Sequence, residues 1–349
     1  MARNSNLTKA KKAANDEFYT QISDIEKELI HYKDWFKGKI VYCNCDDPEE
    51  SNFWKFFELN FENYGLKKLI ATHFDAKQPS YKLELQVDLD GDGKVTNKDI
   101  VKTPLKQNGD FRSAESIELL KECDVVVTNP PFSLFREYIA QLIEYKKKFL
   151  VIGNQNAITY KEIFPLIRDN KIWLGITERI QNFRIPPQNA TGNKNAFQEN
   201  GVWLQKFGNI CWFTNIPHNK RNEKLILTAE YDPKKYPKYD NYDAIEVGKV
   251  ANIPKDYNGV MGVPISFLDK YCPEQFKIVA LGNSRENFTP NKDYINPKKH
   301  MSNGKISNGN AINCVLAINV TKVPTTTYYT SDNSNYIIAP YARILIKSL

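Results

Sequence analysis

An α/β fold with a doubly wound, mainly parallel sheet is predicted for residues 16–220, and a second, loop-rich α+β domain for 221–349. Three observations predict this. Short β-branched runs, KIVYCNC (39–45), KKLIATHF (67–74), CDVVVTN (123–129), KKFLVIGN (147–154) and KIWLGI (171–176), alternate with segments whose apolar residues recur at three- and four-residue spacing, the pattern of strand, helix, strand that builds a sheet covered on both faces. A change of texture after about Arg221, to stretches dense in Tyr, Asn, Lys, Gly and Pro, marks the domain boundary. The length, 349 residues, fits about two domains at roughly 100 to 200 residues each.

The elements follow in order. Residues 1–15 form a basic N-terminal arm, and DEFYTQISDIEKEL opens the first domain with an acidic amphipathic helix. KIVYCNC is a strand ended by the turn-prone DDPEES, and SNFWKFFELNF after it carries its aromatics at helical spacing. An insertion spans about 78–108. The helices SAESIELLKE, FREYIAQLIEYKKK and TYKEIFPLIRDN separate the later strands. QNFRIPPQNATGNKNAFQEN (181–200) is polar and rich in Asn, Gly and Pro, which predicts a long functional loop. VWLQKF and NICWFTNI, divided at Gly208, predict two antiparallel strands that finish the domain.

Composition narrows the classes. With 41% apolar, 12% aromatic and 26% charged residues, the chain is neither disordered nor collagen-like. No apolar run reaches the ~18 to 20 residues of a membrane helix and the N-terminus lacks the apolar core of a signal peptide, so a soluble cytoplasmic protein is expected. The six cysteines are scattered without a CxxC or Cys/His cluster, against a disulfide framework or a zinc site. A net charge of +7 is compatible with a polyanionic partner, though many basic proteins never touch nucleic acid.

The sharpest chemical signal is Asn129-Pro130-Pro131-Phe132, directly after the apolar run Val125-Val126-Val127-Thr128. Two prolines cannot continue a ladder, so the chain is held in a rigid extended turn at the strand's carboxyl end. Such a turn can aim the Asn129 side-chain oxygen and the Pro130 carbonyl at one exocyclic amine, while Phe132 offers a face for stacking a heterocycle. A plain strand-terminating turn is the bland alternative, and on the tetrapeptide alone the two readings balance. Asp110 in GDFRS is placed to accept from a cofactor's adenine amino group, with Phe111 packing on its ring. Asp46, Asp47 and Pro48 follow the first strand, where an open α/β sheet receives its cofactor. Phe18, Tyr19 and Thr20 precede the first helix. Taken singly, acidic residues at such ends are usually solvated caps.

In the order FYT, DDP, GDF, NPPF, with KRNEKL, YDNYDAIEV and GVMGVPISFLDKY further on, the chain resembles the EcoRI-type adenine-specific DNA methyltransferases over nearly its whole length. The resemblance implies a class I methyltransferase-like, Rossmann-like catalytic domain, a C-terminal target-recognition domain, and methyl transfer from S-adenosyl-L-methionine to N6 of a flipped-out adenine in double-stranded DNA. It implies Asn129, Pro130, Pro131 and Phe132 as catalytic. It implies Phe18, Tyr19, Thr20, Asp46, Asp47, Pro48, Asp110 and Phe111 as cofactor-binding. A cognate restriction endonuclease acting on the same site belongs to the same implication. The chain departs from the general pattern where Glu50, Ser51 and Asn52 replace the glycines after DDP, and where LIATHF lacks a terminal acid for the ribose, a role open to Asp75 or Asp46.

DNA contact is expected from the basic arm, through Lys11 and Lys12, and from Lys220, Arg221, Lys234 and Lys235, which interleave with Tyr and Asn. Asp88, Asp90, Asp92 and Asp99 have the spacing of a calcium loop, with Gly93 at its sixth position. The preceding YKLELQV alternates like a strand instead of an entering helix, so an acidic turn is the plainer reading and no metal is assigned. Two competing functions share these features: N4 methylation of cytosine, and a non-catalytic DNA-binding protein that keeps the fold.

Overall fold

The computed structural model describes residues 19–45, 47–75, 80–177, 179–283 and 288–349; Phe18, Asp46 and the N-terminal arm with Lys11 and Lys12 lie outside the described residues. The chain divides into two compact units, residues 1–157 with 172–218 and residues 158–171 with 219–349.

The first unit is built on an eleven-stranded sheet. Its strands are β1 (Tyr19–Thr20), β2 (Ile40–Cys43), β3 (Lys68–Thr72), β4 (Tyr81–Leu85), β5 (Val101–Pro104), β6 (Val125–Thr128), β7 (Lys148–Asn154), β8 (Trp173–Leu174), β9 (Ile180–Arg184), β10 (Ala196–Glu199) and β11 (Val202–Thr214). They lie in the order β1-β9-β11-β7-β6-β2-β3-β4-β5, with β8 and β10 also paired to β11. Among the described residues of this sheet, only β7, β6, β2 and β3 run parallel to one another. The sheet is therefore mixed rather than mainly parallel. The cause lies at its two ends: residues 81–104 fold as the hairpin β4–β5 along β3, and everything beyond β7 joins antiparallel.

Among the described residues, four α-helices accompany this sheet: α1 (Ile22–Leu29), α2 (Asn52–Leu59), α3 (Ala114–Glu122) and α4 (Phe135–Glu144). Each carries the apolar stripe that its sequence spacing requires, for example Phe53, Trp54, Phe56 and Phe57 on α2. These rings pack with Leu29, Phe36, Leu150 and Trp212 in one core. Residues 181–200 are not one loop, since they hold most of β9 and all of β10. Nor does Gly208 divide two strands. β11 runs unbroken through it, and the irregularity between Lys206 and Ile210 is a register shift against β9, the local accommodation that a bulge provides.

The second unit contains α5 (Phe164–Arg168), a helix that the sequence pattern places with the first domain. Its strands are β12 (Ile245–Glu246), β13 (Met261–Pro264), β14 (Phe276–Leu281), β15 (Lys298–His300), β16 (Ile306–Asn308), β17 (Ile318–Val320), β18 (Tyr328–Ser331), β19 (Ser334–Ile338) and β20 (Arg343–Ser348). They form a four-stranded sheet, β12-β13-β20-β14, and a five-stranded sheet, β16-β15-β18-β19-β17. Against the α+β expectation, α5 is the α-helix of this unit among the described residues, and several of the connections contain short 3-10 turns. Pro and Gly spaced through 232–309 limit every run to a few residues.

One buried charge organises the first unit beside β8. Glu28 on α1 is fully buried and its carboxylate accepts from the Tyr32 hydroxyl at 2.9 Å, the main-chain N–H groups of Ile176 and Thr177 at 2.8 and 2.7 Å, and the Thr177 hydroxyl. Gly175 makes room for it, because a Cβ there would lie 2.4 Å from a Glu28 oxygen. Burial, then the Glu28 charge, holds the Tyr32 phenol above its ordinary value, so it stays a donor. Glu28→Ala leaves those N–H groups buried without their acceptor, and is expected to destabilise the protein by about 2–4 kcal/mol. Urea denaturation followed by tryptophan fluorescence measures this; an unchanged midpoint would show that the cluster contributes nothing.

Candidate active site

Because β2, β3, β6 and β7 are parallel, their carboxyl ends share one edge of the sheet. Chain order reverses between β2 and β6: β2 leads to β3 on one side, while β6 pairs on the other. A crevice at such a switch point is where open α/β sheets hold ligands. The register pairs Val41 with Val125 and Tyr42 with Val126, so Asn44 and Cys45 leave β2 at the level where Thr128 and Asn129 leave β6. The two most chemically suggestive stretches of the sequence are thus neighbours by topology.

Asn129 is 7% exposed and Pro130 is buried, while Pro131 and Phe132 are half-buried. After Pro131 the chain makes one 3-10 turn, closed by Leu134 N–H on the Pro131 carbonyl at 2.9 Å, and enters α4. Phe132 leans on the sheet's main core with part of its surface in solvent. A rigid turn, a buried amide and a partly open ring are what holding a planar heterocycle by its amino group requires.

The other predicted segments gather at the same edge. Gly109, with φ +75°, lies so close to the end of β3 that a Cβ would sit 1.8 Å from the His73 carbonyl oxygen. The Asp75 N–H bonds the Asn108 carbonyl at 2.9 Å. These contacts bring Asp110 and Phe111 beside β3. Asp110 binds the Arg112 guanidinium through both oxygens, at 2.8 and 2.7 Å, and accepts the Arg112 N–H at 2.8 Å. Burial raises the Asp110 carboxyl, but those bonds and the guanidinium charge outweigh it and hold the group below the ordinary carboxylate range. It is an ionised acceptor with lone pairs to spare. Phe111, 5% exposed, packs edge-on to Tyr138 of α4, centroids 5.1 Å apart. Its ring is part of a packed wall more than a free platform.

Tyr138 reaches further. Its hydroxyl donates to Asn44 Oδ1 at 2.5 Å, so one buried phenol joins the GDF loop, the end of β2 and the helix that follows NPPF. Burial pushes that phenol well above its ordinary value and keeps it protonated. Asp47 caps its own turn, accepting Glu49 N–H at 2.9 Å, and lies 3.7 Å from His73, whose ring stacks on Tyr81 of β4. Pro48 is buried beside it.

Tyr19 and Thr20 form β1, which pairs with β9 through Arg184 and Phe183. β11 pairs with β7 only through residues 210–214, so its first eight residues, with β9, β10 and β1, project beyond the edge, about 25 Å at strand rise. The residues that replace glycine after DDP fasten this projection. Asn52 donates to the Thr20 carbonyl at 2.7 Å, Glu50 pairs with Arg184, and Ser51 caps α2.

Sequence reasoning did not single out Asn44, Arg112 or Tyr138, and it named Asn52 only as a departure from the cofactor pattern. Tyr138 sits in the buried stripe of α4 with Phe135, Ile139 and Leu142, where spacing reads it as core; a polar tip in an apolar stripe was the available signal. The DNA-contact candidates fall differently. Lys234 and Lys235 are exposed and Lys220 is half-buried, whereas Arg221 is drawn onto Asn170 at 2.6 Å. Carboxylate oxygens of Asp88, Asp90 and Asp99 lie within 4.8 Å of one another; Asp92 stands apart, near Lys98 at 3.6 Å. Asp99 accepts Leu89 N–H and Thr96 N–H at 2.7 and 2.8 Å, so it ties the turn together.

A mixed α/β sheet with an Asn-Pro-Pro-Phe turn at the edge beside the end of its central strand fits the class of amino-group methyltransferases. Residues 6–348 match the family described as Adenine-specific methyltransferase EcoRI. The chain is 49% identical over 295 residues to the Type II methyltransferase M.EcoRI of Escherichia coli, across 80% of this chain and 90% of that one. It is 45% identical over 279 residues to the Type II methyltransferase M.MgeORF184P of Mycoplasma genitalium, across 78% and 85%. To M.MpnI of Mycoplasma pneumoniae it is 43% identical over 282 residues, across 78% and 84%. No solved structure matches the chain. The chain belongs to the EcoRI family of adenine-specific methyltransferases, and it is a site-specific DNA adenine methyltransferase. Among the described residues, no helix is long and apolar enough to cross a membrane.

Gly109→Ala places a methyl against the His73 carbonyl and forces a left-handed residue to bear a Cβ. An expected loss of about 2 kcal/mol or more is read by thermal unfolding beside Gly208→Ala, where a Cβ meets nothing within 4 Å. Equal midpoints for the two variants would refute the close approach.

Proposed function

We propose that this enzyme transfers a methyl group from S-adenosyl-L-methionine to the exocyclic N6 of an adenine flipped out of double-stranded DNA, at one short recognition sequence. The observation that carries this is the placement of Asn129–Phe132 beside the end of β2 at the switch point. We read the four parallel strands as the centre of a class I methyltransferase-like, doubly wound arrangement, and residues 219–349 as the target-recognition part.

The residues at this edge fit such a cofactor. Thr20 Oγ1, Asn44 Nδ2 and Thr128 Oγ1 are buried and have no hydrogen-bond partner among the described residues. A buried polar atom left unpaired costs about 1–3 kcal/mol, and three from three converging segments suit a polar ligand that completes them. Asp110 would accept from the adenine amino group, Phe111 and Tyr138 would wall the ring, Asp47 and Asn44 would face the ribose side, and Tyr19 and Thr20 the methionine. When bound, the cofactor supplies an electrophilic methyl on a sulfonium, a leaving group that needs no metal.

The chain's own residues do the rest. A base inside a duplex does not expose its amine for in-line attack, so the adenine is extruded at a cost of a few kcal/mol. Phe132 stacks on the extruded ring. The Asn129 side-chain oxygen and the Pro130 carbonyl accept from the two N6 hydrogens, which concentrates lone-pair density on the nitrogen and fixes its direction. As the nitrogen gains positive charge, the same oxygens stabilise it, and its surplus proton leaves to water after transfer. Lys220, Lys234 and Lys235 would hold phosphates. A restriction endonuclease sharing the site is the natural counterpart, acting separately and not as a stable complex.

Mixed-sequence duplex DNA incubated with enzyme and S-adenosyl-L-methionine, then read base by base, is expected to carry N6-methyladenine at a single short motif; N4-methylcytosine, or no mark, would overturn the reading. Asn129→Ala is expected to lower kcat about 100-fold or more while duplex affinity stays within a few-fold. Turnover at the normal rate would remove Asn129 from the assignment.

A further inference from the structure

We propose that the hairpin β15–β16, from Lys298 to Asn308, is a two-stranded ribbon that enters a groove of duplex DNA, with Ile306, His300 and Tyr328 forming its reading row. This rests on the DNA methyltransferase reading and names the surface that contacts the substrate.

The five-stranded sheet of the second unit has two unlike faces. Tyr329 and Ile337 turn to one side and are buried with Tyr294, Ile312 and Ala317. Residues opposite one another in an antiparallel pair share a face, so Ile306, His300 and Tyr328 form a row on the other side, and Asn308, Lys298 and Thr330 the next. At the β17–β19 end that side is covered, Ile318 and Ile338 packing into a separate cluster. At the β16–β15–β18 end it is open: Lys298, Ile306 and Asn308 are exposed, Ile306 at 56%. There the His300 and Tyr328 rings stack in parallel, 4.6 Å apart.

The chemistry of this open end selects the occupant. From Tyr294 to Ser331 the sequence has Lys298, Lys299, Lys305 and Lys322 and no acidic residue, a stretch without repulsion for a polyanion. β16 is an edge strand, and an exposed edge bearing an isoleucine is a hazard unless something covers it. The tip between the strands, Ser302 to Lys305, is exposed. A two-stranded ribbon fits a major groove about 12 Å wide. Lys298 and Lys305 would meet phosphates, Asn308 and Thr330 base edges, and Ile306 a thymine methyl.

The test uses the full-length enzyme and two duplexes, one carrying the motif found by sequencing its methylation products and one scrambled. Lys298→Ala/Lys305→Ala is expected to weaken both duplexes about tenfold near 0.15 M salt, and to flatten the slope of log affinity against log salt by about 2. Ile306→Ala/Tyr328→Ala is expected to weaken the motif duplex about tenfold and the scrambled one little, raising KM for DNA but not for the methyl donor. Thermal midpoints close to wild type show that the variants fold. Variants that bind and methylate like wild type overturn the hairpin assignment while the methyltransferase reading stands. Loss of self-association with DNA affinity intact would make this face an interface between copies, and overturns it too. A wild-type enzyme that methylates no duplex ends both.

Discussion

The parallel pairing of β2 with both β3 and β6 is the constraint on which the site depends. A strand flanked by parallel neighbours on both sides is buried on every flank, and Val41, Tyr42, Val125, Val126 and Val127 are all fully buried. Such strands have no freedom to slip, because their neighbours fix the register from both sides. Two loops distant in sequence therefore leave the sheet at one level. The loops proposed to hold cofactor and base are brought together by backbone pairing before any side chain of either is considered. Tyr138 then locks what the sheet has aligned, through Asn44 and Phe111.

The residues that follow the acidic-Pro pair after β2 serve the fold structurally. Glycines after an acidic-Pro pair let a backbone approach a ligand closely. Here Ser51 caps α2, while Glu50 and Asn52 reach out to Arg184 and the Thr20 carbonyl. The loop is held by side chains instead of by glycine's conformational freedom. Its neighbour at the end of β3 shows the complementary solution: Gly109 is indispensable there because the GDF loop rides directly on the His73 carbonyl.

Much of this was legible in the sequence, for reasons that separate the cases. β2, β3, β6 and β7 are continuous apolar runs and were readable because burial on both faces forbids polar residues. NPPF was readable because two prolines admit few conformations. The strands β9 and β10 were not, since QNFRIPPQNATGNKNAFQEN has loop composition and gains its strands only by pairing with β11. An isolated glycine at 208 reads as a strand break, and pairing along β11 overrides it. Asn44 and Tyr138 escaped notice because their importance lies in meeting each other across 94 residues, which no local pattern encodes. The same holds for Glu28 and Thr177.

The placement of residues 158–171 reaches beyond the fold description. This segment follows β7, yet Ile163, Phe164 and Ile167 are buried in the second unit, where α5 packs against β14. The chain thus leaves the first unit after residue 157, returns at 172 and leaves again after 218. Neither unit is a continuous piece of sequence, so a cut at 218 would strip the C-terminal part of a helix it uses as core, and strand that helix's apolar face on the N-terminal part. On the ribosome, likewise, the apolar side of α5 must wait for β14, more than a hundred residues later, before it has anything to pack against. The two units are therefore sewn together covalently, and exchanging the second one between relatives would require moving two segments at once.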